Sequence, residues 1–370
     1  MSDFESSEES EASEFSDTDT DLEELIDLME ERVRPKNQNY LDETVPQFNR
    51  TEFLEHFRVS REVANDISQR FANSEYYKEQ SGPYGKLTSL QYTYIFLWYA
   101  GHQTASFRDV ADRFNVTISV LHKIIKRMIY FLSNLSPEVI KWPNDVEKQE
   151  IEQYFRHKNT FPGIIGLIDG THIKIDKPQD DPDSYINRKG FYSVQVQLVC
   201  DHNLRITDIF TGYPGSVHDA RVFRTSPLSE TLEEKCGEFH LLGDSAYPLL
   251  KNVLTPFPDR GLLNRQQINY NIQHSSNRVK IEHCNGVLKQ KWRQLYHLKL
   301  RDIRLIVNFI RACCVLHNLG LQDGVALDLE ENVEPVEPAP RLDPDNIEQG
   351  IQEDLNAVAK RNHIVNILGQ

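Results

Sequence analysis

Apolar residues along the chain fall first into helical spacing and, after residue 160, into strand spacing. Phe53, Phe57, Val63, Ile67 and Phe71 recur at helical intervals, and Thr88 to Ala100 reads as an apolar helix rich in Tyr and Phe. Ser106 and Asp109 form a capping-box pattern for the next helix, whose apolar face is Phe107, Val110, Ala111 and Phe114. Asn115-Val116 makes a turn, and Thr117 can cap a further helix that buries Ile118, Leu121, Ile125 and Met128. The opposite face of that helix shows Ser119, His122, Lys123 and Lys126. This is helix-turn-helix grammar, with a polar, basic second helix suited to DNA. The plain alternative is a three-helix packing unit whose lysines face water.

After one more helix at 144–157, the period changes. Residues 163–176 read as a buried strand that passes a glycine and continues in alternation, and 191–200 alternate with period two. Residues 201–203 turn, 205–211 return as a hairpin, 218–234 read as a helix, and 239–243 are another buried strand. A helix is expected from about Ser275–Ser276 to Leu295, and a last apolar one over Ile303–Leu319. That order predicts an α/β domain with a mixed sheet flanked by helices. A short amphipathic helix is expected at 21–34, on Leu22, Leu25, Ile26 and Met29.

Composition changes this picture at the ends. The net charge is −15 over 370 residues, but residues 1–31 alone carry −14 and 323–355 carry −10. The body, 32–322, is left with +7, so an acidic chain contains a mildly basic middle. Residues 1–20 alternate Ser/Thr with Glu/Asp, a composition expected to stay disordered. The division expected is an acidic tail at 1–45, a helical unit at 46–143, the α/β domain at 144–322 and an acidic tail with a short helix at 323–370. No apolar run reaches the ~20 residues of a membrane span, and no secretory leader is visible. Five cysteines without CxxC spacing argue against a disulfide scaffold or zinc ribbon and for a reducing compartment.

Three acids have unusual settings. Asp169 lies inside an apolar strand, just before Gly170, where a carboxylate is costly unless a cation or donor meets it. Asp244 ends the strand Phe239–Gly243, the place where α/β sheets hold ligands. Glu282 lies on a helix whose core stripe is Ile281, Cys284, Leu288, Trp292 and Leu295, and whose polar face is Arg278, Glu282, Asn285 and Lys289. Three converging carboxylates repel one another without cations and make a site for Mg²⁺ or Mn²⁺, with two ions expected. Lys and Arg beside them can hold a phosphate chain. Asp219 is a fourth cleft carboxylate or a helix cap. His172, Arg278 and Lys289 are candidate supports, and Lys174, Lys177, Arg188 and Lys189 add to a DNA path.

At four segments the sequence resembles the PIF/Harbinger transposase superfamily and the nucleases derived from it. These are Ile168-Asp-Gly-Thr-His-Ile173, Pro214-Gly-Ser-Val-His-Asp-Ala-Arg-Val-Phe223, Leu242-Gly-Asp-Ser-Ala-Tyr-Pro248 and His274 through Lys289; Cys313 to Asn318 resembles the family's closing helix. The resemblance runs from about residue 50 to 322. It implies an RNase H-like fold with a DDE triad at Asp169, Asp244 and Glu282, and DNA as the substrate. It also implies a separate Myb/SANT-like DNA-binding partner that carries the protein to the nucleus. No Lys/Arg-rich import signal stands out, so residence in both nucleus and cytoplasm is expected. An oligomer is compatible with all of this. The leading function is a metal-dependent DNA endonuclease or transposase. The alternatives are a catalytically idle DNA- or chromatin-tethering protein and an adaptor working through its acidic ends.

Overall fold

A computed structural model describes residues 37, 39–77, 87–103, 105–259, 261–321, 323 and 354–369. The helix expected at 21–34 and most of both acidic tails lie outside these residues. Among the described residues nine helices or helical turns precede the sheet, and the five that build the helical unit's core begin with side-chain caps. Asn49 starts α1 (Arg50–Phe57) and Ser60 starts α2 (Arg61–Ala72). Thr88 starts α3 (Ser89–Gly101), Ser106 starts α4 (Phe107–Arg113) through a reciprocal bond with Asp109, and Thr117 starts α5 (Ile118–Asn134). Leu121, Ile125 and Met128 are buried on α5 as their spacing demands. Ile118 is not: it sits in the first turn, 46% exposed, ahead of the packed part of the helix. Ser119, His122, Lys123 and Lys126 are exposed.

Helix α6 (Asp145–Asn159) leads into the sheet, which has the order β3-β2-β1-β4-β5. Strands β1 (Ile164–Lys174), β2 (Ser193–Cys200) and β3 (Ile206–Pro214) form an antiparallel meander. Strands β4 (His240–Leu242) and β5 (Val253–Leu254) add in parallel beside β1. This five-stranded mixed sheet flanked by helices is the RNase H-like architecture expected from the sequence. Between β3 and β4 the expected single helix is two, α7 (Asp219–Arg224) and α8 (Pro227–Cys236). Ser226-Pro227 breaks it, because Pro lacks the N–H needed mid-helix while Ser226 caps the second piece.

The largest correction is α9, which runs from Arg265 to Lys291. It starts ten residues before Ser275 because Asn264 and Gln267 form a capping box. One narrow buried face, Tyr270, His274 and Asn277, supports that early part, while Ile268 and Ile272 are 47% and 59% exposed. A helix with apolar residues on its open side carries no clean amphipathic period. After Lys291 the chain makes a 3₁₀ turn, Arg293–Tyr296, then forms α10 (Ile303–Leu319). Helix α11 (Leu355–Leu368) packs along α9. Among the described residues no helix is long and apolar enough to cross a membrane.

The two faces of the sheet bury different sets. Leu167, Ile173, Val194, Val196 and Leu198 join a core that also takes in α9, α10 and the helical unit. Ile165, Ile168 and Val199 pack with Phe223, Leu228 and Leu232 of α7 and α8. Helix α10 touches both α5 and β3, so one apolar core spans the helical unit and the sheet.

Candidate active site

Strand alternation sends Asp169 to the α9 side of the sheet, between the buried Leu167 and the half-buried Thr171. The side chain is 18% exposed. Both oxygens are engaged from α9: Arg278 Nη2 meets Oδ1 at 2.9 Å and Asn285 Nδ2 donates to Oδ2 at 2.9 Å. Arg278 and Asn285 are two turns apart, so one helix face grips the carboxylate from both sides. A third residue of that face, Lys289, donates to Thr171 Oγ1 at 2.7 Å and to the His172 carbonyl at 3.1 Å. The face assembles as the sequence predicts. Its basic members pair with β1, and Asn285 acts as a donor to the first acid, a role that spacing could not reveal.

Asp244 follows β4, in parallel register with β1, which sets it beside Asp169. Its Oδ1 accepts the Ala246 N–H at 3.0 Å, a turn that fixes the carboxylate at the strand end. Asp219 arrives from the α7 side. It does not cap its helix: His218 is the N-cap and makes no side-chain capping bond. Its carboxylate instead accepts from Gln195 Nε2 and lies directly over Gly170, where any Cβ would collide with it. Gly170 is therefore required by close approach. Glu282 is half-buried on α9, one turn from Arg278. The charges of Asp244, Asp219 and Glu282 all reach Asp169.

Electrostatics registers this crowding. Burial pushes the Asp169 carboxyl up to about 7, against the pull of Arg278 and with the repulsion of Asp244, Asp219 and Glu282. Burial, then Asp244, raises Asp219 to about 6. His172, whose Nδ1 meets Ser193 Oγ at 3.1 Å, is held down to about 4 by burial and then Lys289. Arg188 contacts His218, and Lys174 stands 6.0 Å over the Phe191 ring. Of the predicted residues, Asp169, Asp219, Asp244, Glu282, Arg278 and Lys289 lie about the middle of β1, just past its pairing with β4. Lys123 and Lys126 belong to the separate exposed face of α5.

This donor set is oxygen-only, half-buried and over-supplied with negative charge, which is the chemistry of a hard divalent cation. As the side chains stand, no three His, Cys, Asp or Glu groups among the described residues converge closely enough to hold an ion, and both oxygens of Asp169 are bonded from α9.

The raised carboxyls make a stability prediction. A group whose folded value lies above its unfolded one stabilises the fold fully below the unfolded value, ~3.9, and loses that contribution as pH rises through the folded value. Between about pH 4 and 7, Asp169→Asn should therefore gain stability relative to the parent chain. Urea melts of both proteins across that range check this; parallel curves would refute it.

Residues 168–318 match the family model described as DDE superfamily endonuclease. The chain is 28% identical over 255 residues to "Putative nuclease HARBI1" of Bos taurus, covering 67% of this chain and 72% of that protein. The human protein of the same name is 27% identical with the same coverage. "Protein ALP1-like" of Arabidopsis thaliana is 26% identical over 234 residues, 58% of this chain and 56% of its own length. No solved structure matches the chain.

Proposed function

From the premise that residues 168–318 are of the DDE superfamily endonucleases, of Harbinger descent, we propose that the chain is a divalent-metal-dependent DNA endonuclease. The observation that supports this best is the set Asp169, Asp219, Asp244 and Glu282, carboxylates whose charges act on Asp169, with Arg278 bonded to Asp169. Asp169, Asp244 and Glu282 would hold Mg²⁺ or Mn²⁺, with Asp219 beside them. When bound, such ions supply an activated water and charge stabilisation at a phosphodiester.

The protein's own groups do the rest. Asn285 and the Ala246 amide hold Asp169 and Asp244 in fixed orientation. Arg278 pairs with Asp169, and would be available to a phosphate if a cation were held by the carboxylates. Lys289 ties α9, the helix that carries Glu282, to β1. Gln195 of β2 steadies Asp219. The exposed Ser119, His122, Lys123 and Lys126 on α5, with Lys174, Arg188 and Lys189, would carry the DNA duplex. A Myb/SANT-like recruiter, residence in nucleus and cytoplasm, and strand joining beyond cleavage belong to the same proposal. Supercoiled plasmid incubated with the purified chain should be nicked in Mg²⁺ or Mn²⁺ and stay intact in EDTA; equal nicking with and without chelator would reject the metal site.

A further inference from the structure

At the foot of the helix-turn-helix, five flat groups form one column. The Arg113 guanidinium lies 4.7 Å over the Trp98 ring, and Trp98 stacks on His102 at 3.9 Å and 16°. His102 faces His56 at 6.5 Å and 20°, and His56 stacks on Phe48 at 4.6 Å and 11°. Arg58, in the left-handed conformation that ends α1, donates to the Gly101 carbonyl at 3.4 Å, while its Nε is buried without a partner. Gln294 of the turn after α9 donates to the next carbonyl, that of His102, at 2.7 Å. Its neighbour Arg293 is thereby brought within electrostatic reach of Arg58.

Three guanidiniums and two imidazoles thus gather from four elements. None of Arg58, Arg113 and Arg293 has a carboxylate ion pair among the described residues. The acids acting on the imidazoles are Glu52 and Glu55 of α1, and Glu52 is already bound to the Asn49 amide as a helix cap. Burial keeps both histidines below their ordinary value, and Arg113 adds to this at both, with Arg58 acting on each. His102 Nδ1–H donates to the Trp98 carbonyl at 2.6 Å, which leaves Nε2 as the nitrogen able to take a proton. Cations at the C-termini of α1 and α3 are favourable one at a time. Gathering several, half-desolvated and unpaired, is costly unless an anion joins them.

We propose that Arg58, Arg113 and Arg293, with His56 and His102, form a cationic patch for the DNA phosphate backbone at the junction of the helical unit and the sheet. The proposal rests on DNA being the ligand of this protein. It adds a contact distinct from the exposed face of α5 and from the carboxylate cleft. A phosphate seated there draws a proton onto His102 Nε2 or His56, so DNA binding tightens as pH falls through the histidine range.

The test is anisotropy of a fluorescent DNA duplex with the full chain in EDTA, where no cleavage is read. Arg293 is exposed, so Arg293→Ala leaves the fold intact. It should weaken binding about three- to tenfold at low salt and lower the slope of log affinity against log salt by about one. His102→Phe keeps a ring in the column and should flatten the gain in affinity between about pH 7.5 and 5.5. Parent-like affinity and salt slope in Arg293→Ala would overturn the site while leaving the endonuclease reading untouched. Arg293-dependent binding in a chain that never nicks would do the reverse. Absence of DNA binding by the parent chain would overturn both.

Discussion

Asp169→Asn should lower plasmid nicking by roughly a thousandfold in a protein that still folds. The asparagine side chain fills the same space and its carbonyl still accepts from Arg278, so the α9–β1 contact survives. What disappears is the charge closest to the centre of the acidic cluster. Two-metal chemistry needs anionic oxygens that bridge or share the ions, and a neutral amide supplies one weak ligand instead. Asn285→Ala sets the scale from outside: it frees one oxygen of Asp169 but leaves the charge, and an orienting group of this kind is worth about 10–100-fold. Single-turnover nicking of the two variants should rank them in that order. Equal losses would mean that Asn285 touches substrate itself.

The second large effect is on the fold. Phe309→Ala should cost about 3–5 kcal/mol, the range for a fully buried phenyl replaced by a methyl. Phe309 is on α10, and its ring meets Phe96 and Tyr99 of α3 at 6.0 Å edge-on. The same helix lies against β3. A cavity there loosens both halves of the shared core at once. Urea unfolding followed by far-ultraviolet circular dichroism and by tryptophan fluorescence should shift to lower denaturant together, because Trp98 and Trp292 lie in that core on either side. Separate transitions would show that the helical unit and the sheet unfold independently.

What could be read from the sequence was whatever a single element encodes. The capping pairs Ser106–Asp109 and Thr117 are local hydrogen bonds, and they form as spelled. Asp169 could be singled out because a carboxylate inside Leu-Ile-Asp-Gly breaks an apolar strand, and the i, i+4, i+7 face of α9 follows from helical geometry alone. The early start of α9 was not legible, because its exposed Ile268 and Ile272 blur the period and its buried face is only three residues wide. β5 is two residues long, too short to leave any alternation. The relation of Asp219 to Gly170 joins two elements about fifty residues apart through a missing Cβ, and nothing at either position announces the other. Asn285 and Gln195 are ordinary polar residues until the carboxylates they serve are placed beside them. The column from Arg113 to Phe48 likewise draws on four segments, none unusual alone.

The acids around the middle of β1 are proposed to cut DNA with the help of a divalent ion. The most direct measurement compares the parent chain with Asp244→Asn on supercoiled plasmid, each with Mg²⁺, Mn²⁺ and EDTA. Asp244 ends its strand with its backbone turn in place, and asparagine can keep the bond from the Ala246 amide, so the variant isolates charge from shape. The parent chain should nick in a metal-dependent way and Asp244→Asn should not. Nicking of equal rate by both proteins, or none by a parent chain that calorimetry shows to bind neither ion, would contradict it.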